Sequence, residues 1–273
     1  MTMNVEKLKK VAINLLRLGR PIYKREEMVK RNMDYINEII SFVGCEYELI
    51  KNAADDVYVM KRYEEMLIKG KSEGFTPVII IPCEVMCRAI EFFYDDENAN
   101  DRDAIISKSE KIDVSELLKK RIQDAMPTDE DINDDIEGEY KKVSSAKAFA
   151  SLLDYGTNRI YETLILAKIP TCNPWEVAAW IPTMAGGNEC PFPAEHVAVF
   201  EYWYKKYGAI PAVVRFDIWE LYVERPVRTQ EEAVSLAWEQ FGYCCDIVYQ
   251  GVGTVNALAG TVIDSNVWYF WWD

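Results

Sequence analysis

The last residues of the chain form an aromatic run that can be buried only inside a layered fold. The run reads Val267-Trp268-Tyr269-Phe270-Trp271-Trp272. In an extended strand, successive side chains point to opposite faces, so both faces of this strand would be apolar. Strands of that kind are typically covered on both sides. We therefore expect a strand enclosed in the core, with Asp273 at its solvated end.

The composition of the 273-residue chain is that of a globular protein. Hydrophobic residues make up 49% and charged residues 28%, which fits one large domain or two ordinary ones. The formal net charge of −14 argues against nucleic acid as a partner, because non-specific binding to nucleic acid requires clustered lysine and arginine. An acidic surface instead fits a cationic small molecule or a basic protein partner.

The cysteine pattern and the N-terminal segment predict a cytoplasmic protein. The seven cysteines are odd in number and irregularly spaced, unlike the cysteines of a secreted disulfide scaffold. Residues 5–16 contain lysines and no small-residue cleavage site, so we expect no signal peptide. No apolar run reaches the roughly 18 residues that a membrane span needs. We therefore expect no membrane partner.

Signals in the first part of the chain predict helices around one buried strand. Apolar residues at helical spacing predict helices near residues 8–15 and 29–43. The proline-bracketed run at 76–82 predicts a buried strand, and a helix should follow from about Glu84. Asp113 and Glu116 form a capping pair that predicts a further helix.

The segment 124–139 contains many acidic residues and no basic one, and part of it superficially resembles a calcium-binding loop that begins at Asp129. A calcium loop of that type needs glycine at its sixth position and a bidentate glutamate at its twelfth. Here these positions hold Asp134 and Tyr140. We therefore expect a solvated acidic loop rather than a calcium site.

The composition changes near residue 165, where a second unit is predicted. All eight tryptophans and the one histidine lie beyond this point. The patterns predict a strand at 174–182, a helix from Pro193, a hairpin that turns near Asp217, and a helix capped by Thr229. The prediction is an α+β fold with a mixed or largely antiparallel sheet flanked by helices. Residues 1–164 would form a mainly helical region with one buried strand, and residues 165–273 a Trp-rich α+β domain.

Three residues are candidates for catalysis. His196 lies in the first turn of its predicted helix, where the helix dipole favours a neutral imidazole. Cys190 precedes it across a turn, so a thiol–imidazole pair is possible, oriented by Asp217, Asp246 or Glu195. No local motif matches a cysteine-hydrolase signature, and the cysteines of this unit contain no Cys-x-x-Cys pair for zinc. We therefore predict neither a metal nor another cofactor.

A candidate binding surface includes the glycine-containing loop before Cys190. The candidate binding residues are Trp175, Gly186, Gly187, Asn188, Glu220, Asp246 and Gln250. The turn at 250–254 contains two glycines before a predicted helix and could hold a phosphate. It lacks the third glycine of a dinucleotide site and the lysine of a P-loop, so a turn capped by Thr254 is the expected structure.

Several motifs of the second unit together resemble one protein family. They are Pro174-Trp175-Glu176, Gly186-Gly187-Asn188-Glu189-Cys190-Pro191, Trp203-Tyr204-Lys205-Lys206-Tyr207-Gly208-Ala209, Ala237-Trp238-Glu239-Gln240-Phe241, Cys245-Asp246-Ile247-Val248-Tyr249-Gln250-Gly251 and Val267-Trp268-Tyr269-Phe270-Trp271-Trp272-Asp273. Over about residues 165–273 the chain resembles the bacterial domain-of-unknown-function family 4253. The resemblance implies no reaction, cofactor or catalytic residue. Where the family usually has an aromatic residue after the paired glycines, this chain has Asn188, with an additional Ala185 before them.

Two classes of function are compatible with these features. The favoured one is a non-enzymatic binding protein that acts through its acidic surface on a basic partner, of which toxin neutralisation is one form. The alternative is a small-molecule hydrolase or transferase built around the loop from Gly186 to His196 and nearby carboxylates. A concave pocket lined by Cys190, His196, Asp217 and Trp175 would favour the enzyme. A flat acidic face would favour the binding protein.

Overall fold

The fold is that of a computed structural model, described for residues 25–93, 101–126, 135–154, 156–184 and 186–273. The predicted helix near residues 8–15 and the first half of the candidate calcium loop lie outside these ranges. The helices and strands in chain order are α1 (Arg25–Val43), β1 (Glu46–Lys51), α2 (Asp56–Glu73), β2 (Thr76–Ile80), α3 (Glu84–Phe93), α4 (Arg102–Ser109), α5 (Val114–Ala125), β3 (Leu153–Asp154), β4 (Arg159–Ile160), β5 (Thr163–Ile169), α6 (Pro193–Tyr207), β6 (Ala209–Arg215), β7 (Ile218–Val223), α7 (Gln230–Tyr243), α8 (Val255–Val262) and β8 (Val267–Trp271).

Six of the strands form one mixed sheet in the order β1-β5-β2-β6-β7-β8. Strands β2 and β6 are parallel, and the other neighbours are antiparallel. This arrangement confirms the predicted α+β class with a mixed sheet flanked by helices. The sheet crosses the boundary predicted near Ile165, because β2 lies between β5 and β6 and is paired with both.

The two faces of the sheet are covered by different elements. On one face, α2 packs over alternate strand residues such as Ile79 and Leu166, together with Phe149. On the other face, Val78 and Ile80 belong to a larger core that includes residues of the other α-helices. Because successive side chains of a strand point to opposite faces, the apolar run of β2 contributes to both cores. In the part of the chain that the structure describes, no helix is long and apolar enough to span a membrane.

The buried strand predicted at 76–82 is confirmed, since every residue of β2 is buried. Local capping signals are confirmed as well. Asp113 accepts a hydrogen bond from the Glu116 N–H, and Thr229 forms a reciprocal capping box with Glu232. Pro193 occupies the first turn of α6, where its missing N–H leaves no intrahelical bond unmade.

The prediction of a strand at 174–182 is wrong. Residues Pro174–Ala179 form a 3-10 helix that begins at a proline. A short apolar run bracketed by prolines is compatible with either a strand or a buried helical turn, and packing against α6 decides between them here. Strand β1, which was not predicted, is a second strand of the sheet in the N-terminal region.

The aromatic strand β8 lies at an edge of the sheet rather than between two neighbours. Trp268, Phe270 and Trp272 are almost fully buried on one face, as expected for a core strand. On the other face, Tyr269 and Trp271 are partly exposed. The expectation of a strand enclosed on both sides is therefore correct for one face only. The one strand that pairs with β8 through main-chain hydrogen bonds is β7.

We predict that a fragment of residues 165–273 does not fold cooperatively. It contains β6 and all but the first two residues of β5, but it lacks β2, which joins them in the sheet. Removal of β2 leaves the facing main-chain groups of β5 and β6 without their hydrogen bonds. It also removes Val78, Ile79 and Ile80 from the two cores. Thermal unfolding followed by circular dichroism should show a cooperative transition for the full chain and none for the fragment. A cooperative transition of the isolated fragment would contradict this prediction.

Candidate functional site

The loop from Gly186 to Cys190 has an unusual backbone. Gly186, Asn188 and Glu189 all have positive φ angles, of 88°, 46° and 62°. Non-glycine residues in this region cost free energy, and such residues are frequent at binding sites. Glycine is favoured at 186 by its φ of 88°, and a Cβ atom there would also displace the Phe192 ring, one carbon of which would lie 2.5 Å away.

Arg121 of α5 links this loop to the C-terminal end of α7 through hydrogen bonds. Its guanidinium donates to the Glu189 carbonyl, to the Gly242 carbonyl at 2.9 Å and to the Tyr243 carbonyl at 3.4 Å. The last two carbonyls belong to the final turn of α7, where a cation offsets the negative end of the helix dipole. Arg121 therefore directs its hydrogen bonds to backbone groups rather than to a carboxylate.

A one-turn π-helix, Ile247–Val252, lies beside the loop. Asp246 precedes it and accepts hydrogen bonds from Gln250 Nε2 and from the Asp273 N–H, each at 3.1 Å. Asn188 Nδ2 in turn donates to the Asp273 carbonyl. The candidate binding residues Gly186, Asn188, Asp246 and Gln250 are thus brought together around the end of β8. Single π-helical turns of this kind are frequent at functional sites.

These elements enclose a small cleft, here called the loop cleft, with a volume of about 230 Å³. Its lining residues are Arg121, Asp124, Ala125, Gly186, Glu189, Phe241, Gly242 and Cys245. Among the described residues, Asp124 and Glu189 have no lysine, arginine or histidine within ion-pair distance, and the same holds for neighbouring Asp246. In the described part of the chain, these carboxylates therefore form no ion pair.

Two exposed aromatic residues lie beside the loop cleft. Phe192 is 45% exposed and its ring packs against Gly186. Tyr249 is 43% exposed, its hydroxyl donates to the Ala125 carbonyl at 2.7 Å, and its ring contacts Phe241. Large exposed aromatic residues next to a cleft are typical of interaction surfaces.

Cys190 and His196 meet as predicted, but inside the core. The Cys190 sulfur lies 3.5 Å from His196 Nε2, and His196 Nδ1 lies 2.6 Å from the Tyr243 hydroxyl. Burial, with a smaller effect of the Arg121 charge, lowers the pKa of His196 to about 3. Burial also raises the pKa of Cys190 well above the ordinary value. Both groups are therefore neutral at physiological pH, and neither lines the loop cleft.

Asp217 does not orient the imidazole. Its carboxylate pairs with Arg215 at 3.2 Å, and burial raises its pKa. The second imidazole nitrogen of His196 faces Tyr243 instead. The predicted trio of Cys190, His196 and Asp217 is thus replaced by a thiol, an imidazole and a phenol.

Of the seven candidate binding residues, Gly186 is the one in the lining of the loop cleft, and Glu220 and Trp175 lie in other parts of the fold. Glu220 is fully buried in β7 and accepts hydrogen bonds from the Ala150 N–H at 2.8 Å, the Ser151 N–H at 3.1 Å and the Ser151 hydroxyl. These bonds attach the segment around residue 150 to the sheet. Trp175 lies in the 3-10 helix, with its ring 5.1 Å from that of Tyr204. Neither residue lines the loop cleft.

The residues that sequence reasoning missed are Arg121, Asp124 and Tyr243. Each is separated from the loop by many residues along the chain, and no local motif links them to it. Within the described ranges, no three His, Cys, Asp or Glu side chains are placed to hold a metal ion.

Comparison with known proteins identifies the second part of the chain. Residues 165–273 match the model of a family described as Domain of unknown function (DUF4253). The match spans less than half of the chain and agrees with the resemblance derived from the sequence motifs. No curated protein and no solved structure matched the chain at a significant level.

We predict that Cys190→Ala leaves the alkylation of the folded protein by iodoacetamide unchanged. The thiol is buried and protonated, so it should not react before the protein unfolds. Cys172→Ala is the matched control, because Cys172 is exposed and its loss should remove one reactive thiol. Mass spectrometry of the alkylated protein measures both. Faster alkylation at Cys190 than at Cys172 would contradict the prediction.

A second prediction concerns Glu220. Burial raises its pKa from 4.5 to about 7, so the folded state retains a proton that the unfolded state releases at lower pH. Stability should therefore fall as pH rises through this range. Relative to Glu220→Gln, which has nearly the same shape but cannot ionise, the wild-type free energy of unfolding should fall by about 3 kcal/mol between pH 4.5 and 7. Urea unfolding of both proteins at several pH values measures this. A constant difference would refute it.

Proposed function

We propose that this protein, whose residues 165–273 match the DUF4253 family, is a binding protein that holds a basic segment of a partner protein in the loop cleft. One observation carries the proposal. The carboxylates of Asp124 and Glu189 line a cleft without a cationic partner among the described residues, beside exposed aromatic rings.

The electrostatics of the cleft favour a cationic side chain. A lysine or arginine of the partner would supply the charge that Asp124 and Glu189 lack. Arg121 is the one cation in the lining, and its guanidinium is held against backbone carbonyls at the negative end of α7. The net charge of −14 adds long-range attraction for a basic partner.

The size of the cleft favours a side chain over a metabolite. Pockets for drug-sized ligands usually enclose about 300–1,000 Å³. The loop cleft encloses about 230 Å³, which suits one long side chain. Phe192 and Tyr249 then provide aromatic surface for apolar neighbours of that side chain.

The alternative, a hydrolase or transferase that uses the loop from Gly186 to His196, receives less support from the geometry. Its nucleophile and base, Cys190 and His196, are buried and neutral.

The proposal includes a cytoplasmic location, with which the seven free thiols agree. Neutralisation of a basic toxin would be one specific form of this binding function.

The proposal predicts that a labelled peptide of alternating arginine and leucine binds to the protein. Fluorescence anisotropy should show binding that weakens with salt, and a peptide with glutamate in place of arginine should not bind. The double variant Asp124→Asn/Glu189→Gln should weaken binding about tenfold or more, equivalent to about 1.4 kcal/mol.

The matched control for this experiment is Glu64→Gln. Glu64 is an exposed carboxylate of α2, the helix that covers the opposite face of the sheet from α5 and α7. Its replacement should leave peptide binding unchanged. Equal affinities of the double variant, the control and the wild type would refute the assignment of the loop cleft as the binding site.

A further inference from the structure

The two edges of the sheet differ in how their outward main-chain groups are satisfied. At β8, side chains of the same molecule cap the edge. The Ser265 hydroxyl donates to the Val267 carbonyl at 2.6 Å, and the Cys244 thiol contacts the Trp271 carbonyl at 3.0 Å. Side-chain caps of this kind reduce pairing with another chain.

Strand β1 forms the other edge, and no side chain of the described residues caps it in this way. The Asn52 N–H donates to the Glu162 carbonyl at 2.8 Å, in register with the pairing of β1 and β5. Since hydrogen-bonding residues alternate along an antiparallel strand, Tyr47, Leu49 and Lys51 direct their N–H and C=O groups away from the sheet. Among the described residues, none makes a hydrogen bond with these six groups.

Exposed side chains adjoin this open edge on both faces of the sheet. Tyr47 is 45% exposed. On α2, Tyr58 is 53% exposed and lies one helical turn from Arg62, whose Nε donates to Glu48 of β1 at 2.9 Å. An open edge flanked by exposed aromatic residues is a surface on which another strand can pair.

We propose that β1 pairs with β1 of a second copy of this chain, antiparallel about a two-fold axis at Leu49. Outward-facing residues must then oppose outward-facing residues, which places Tyr47 opposite the partner's Lys51 and Leu49 opposite the partner's Leu49. Tyrosine and lysine form a favourable cation–π pair. The strand is therefore complementary to itself, and the two six-stranded sheets become one.

The charges along β1 favour a second copy over a basic partner. Glu46 pairs with Lys168 at 3.0 Å, and Glu48 pairs with Arg62, so both carboxylates already have a cationic partner in the same molecule. Lys51 is exposed and has no ion-pair partner among the described residues. A basic strand would be repelled by Lys51. In the proposed register, no two like charges lie directly opposite each other.

Sedimentation velocity of the full chain tests this inference. Over a dilution series into the low micromolar range, the wild type should show a concentration-dependent species of twice the 31.6 kDa chain mass. Tyr47→Lys places lysine opposite the partner's Lys51 and should give a monomer. The double variant Tyr47→Lys/Lys51→Glu restores opposite charges across the axis and should recover the dimer.

Val143→Lys is the matched control, because Val143 is an exposed apolar residue outside the strand, and it should leave the dimer intact. In the wild type, hydrogen exchange at the amides of Tyr47, Leu49 and Lys51 should slow as the protein concentration rises. A wild type that is monomeric at every concentration overturns the inference, as does dimeric Tyr47→Lys. Failure of the double variant to recover, with its circular dichroism spectrum unchanged, overturns the register. None of these measurements involves the loop cleft.

Discussion

The main-chain pairing of β2 with both β5 and β6 is the interaction on which the rest of the structure depends. Strand β2 is buried at every residue, and its ladder continues past its end, where the Ile81 N–H donates to the Val214 carbonyl at 2.9 Å. Without it, β1 and β5 would have no connection to the other strands. The DUF4253 segment therefore completes its sheet with a strand from the N-terminal region, and α5 brings Arg121 to the Gly186 loop.

The environment of His196 explains why the one histidine of the chain is packed in the core as a neutral ring. Aromatic rings surround it, including those of Phe200, Trp219 and Trp272 at centroid distances of 5.7–6.0 Å. Such surroundings disfavour the charged imidazolium, and the neutral ring satisfies its nitrogens with a thiol and a phenol. The exposed groups around the loop cleft come instead from the Gly186 loop, from the end of α5 and from the π-helix.

Arg121 affects both the conformation of the Gly186 loop and the charge of the loop cleft. By donating to backbone carbonyls it holds the loop against α7, and it forms no ion pair with the carboxylates of Asp124 and Glu189. A lysine at this position could not make the same set of planar hydrogen bonds. One residue from outside the DUF4253 segment thus shapes the loop cleft.

Local signals in the sequence determined the elements whose causes are local. Capping by Asp113 and Thr229 and the buried run of β2 were predictable, because the contacting groups lie within a few residues of each other. The meeting of Cys190 with His196 was predictable for the same reason. Only the tertiary structure decided that this pair is buried and that β8 lies at an edge. Burial and edge position depend on which distant segments pack together, and a single sequence carries no record of those contacts.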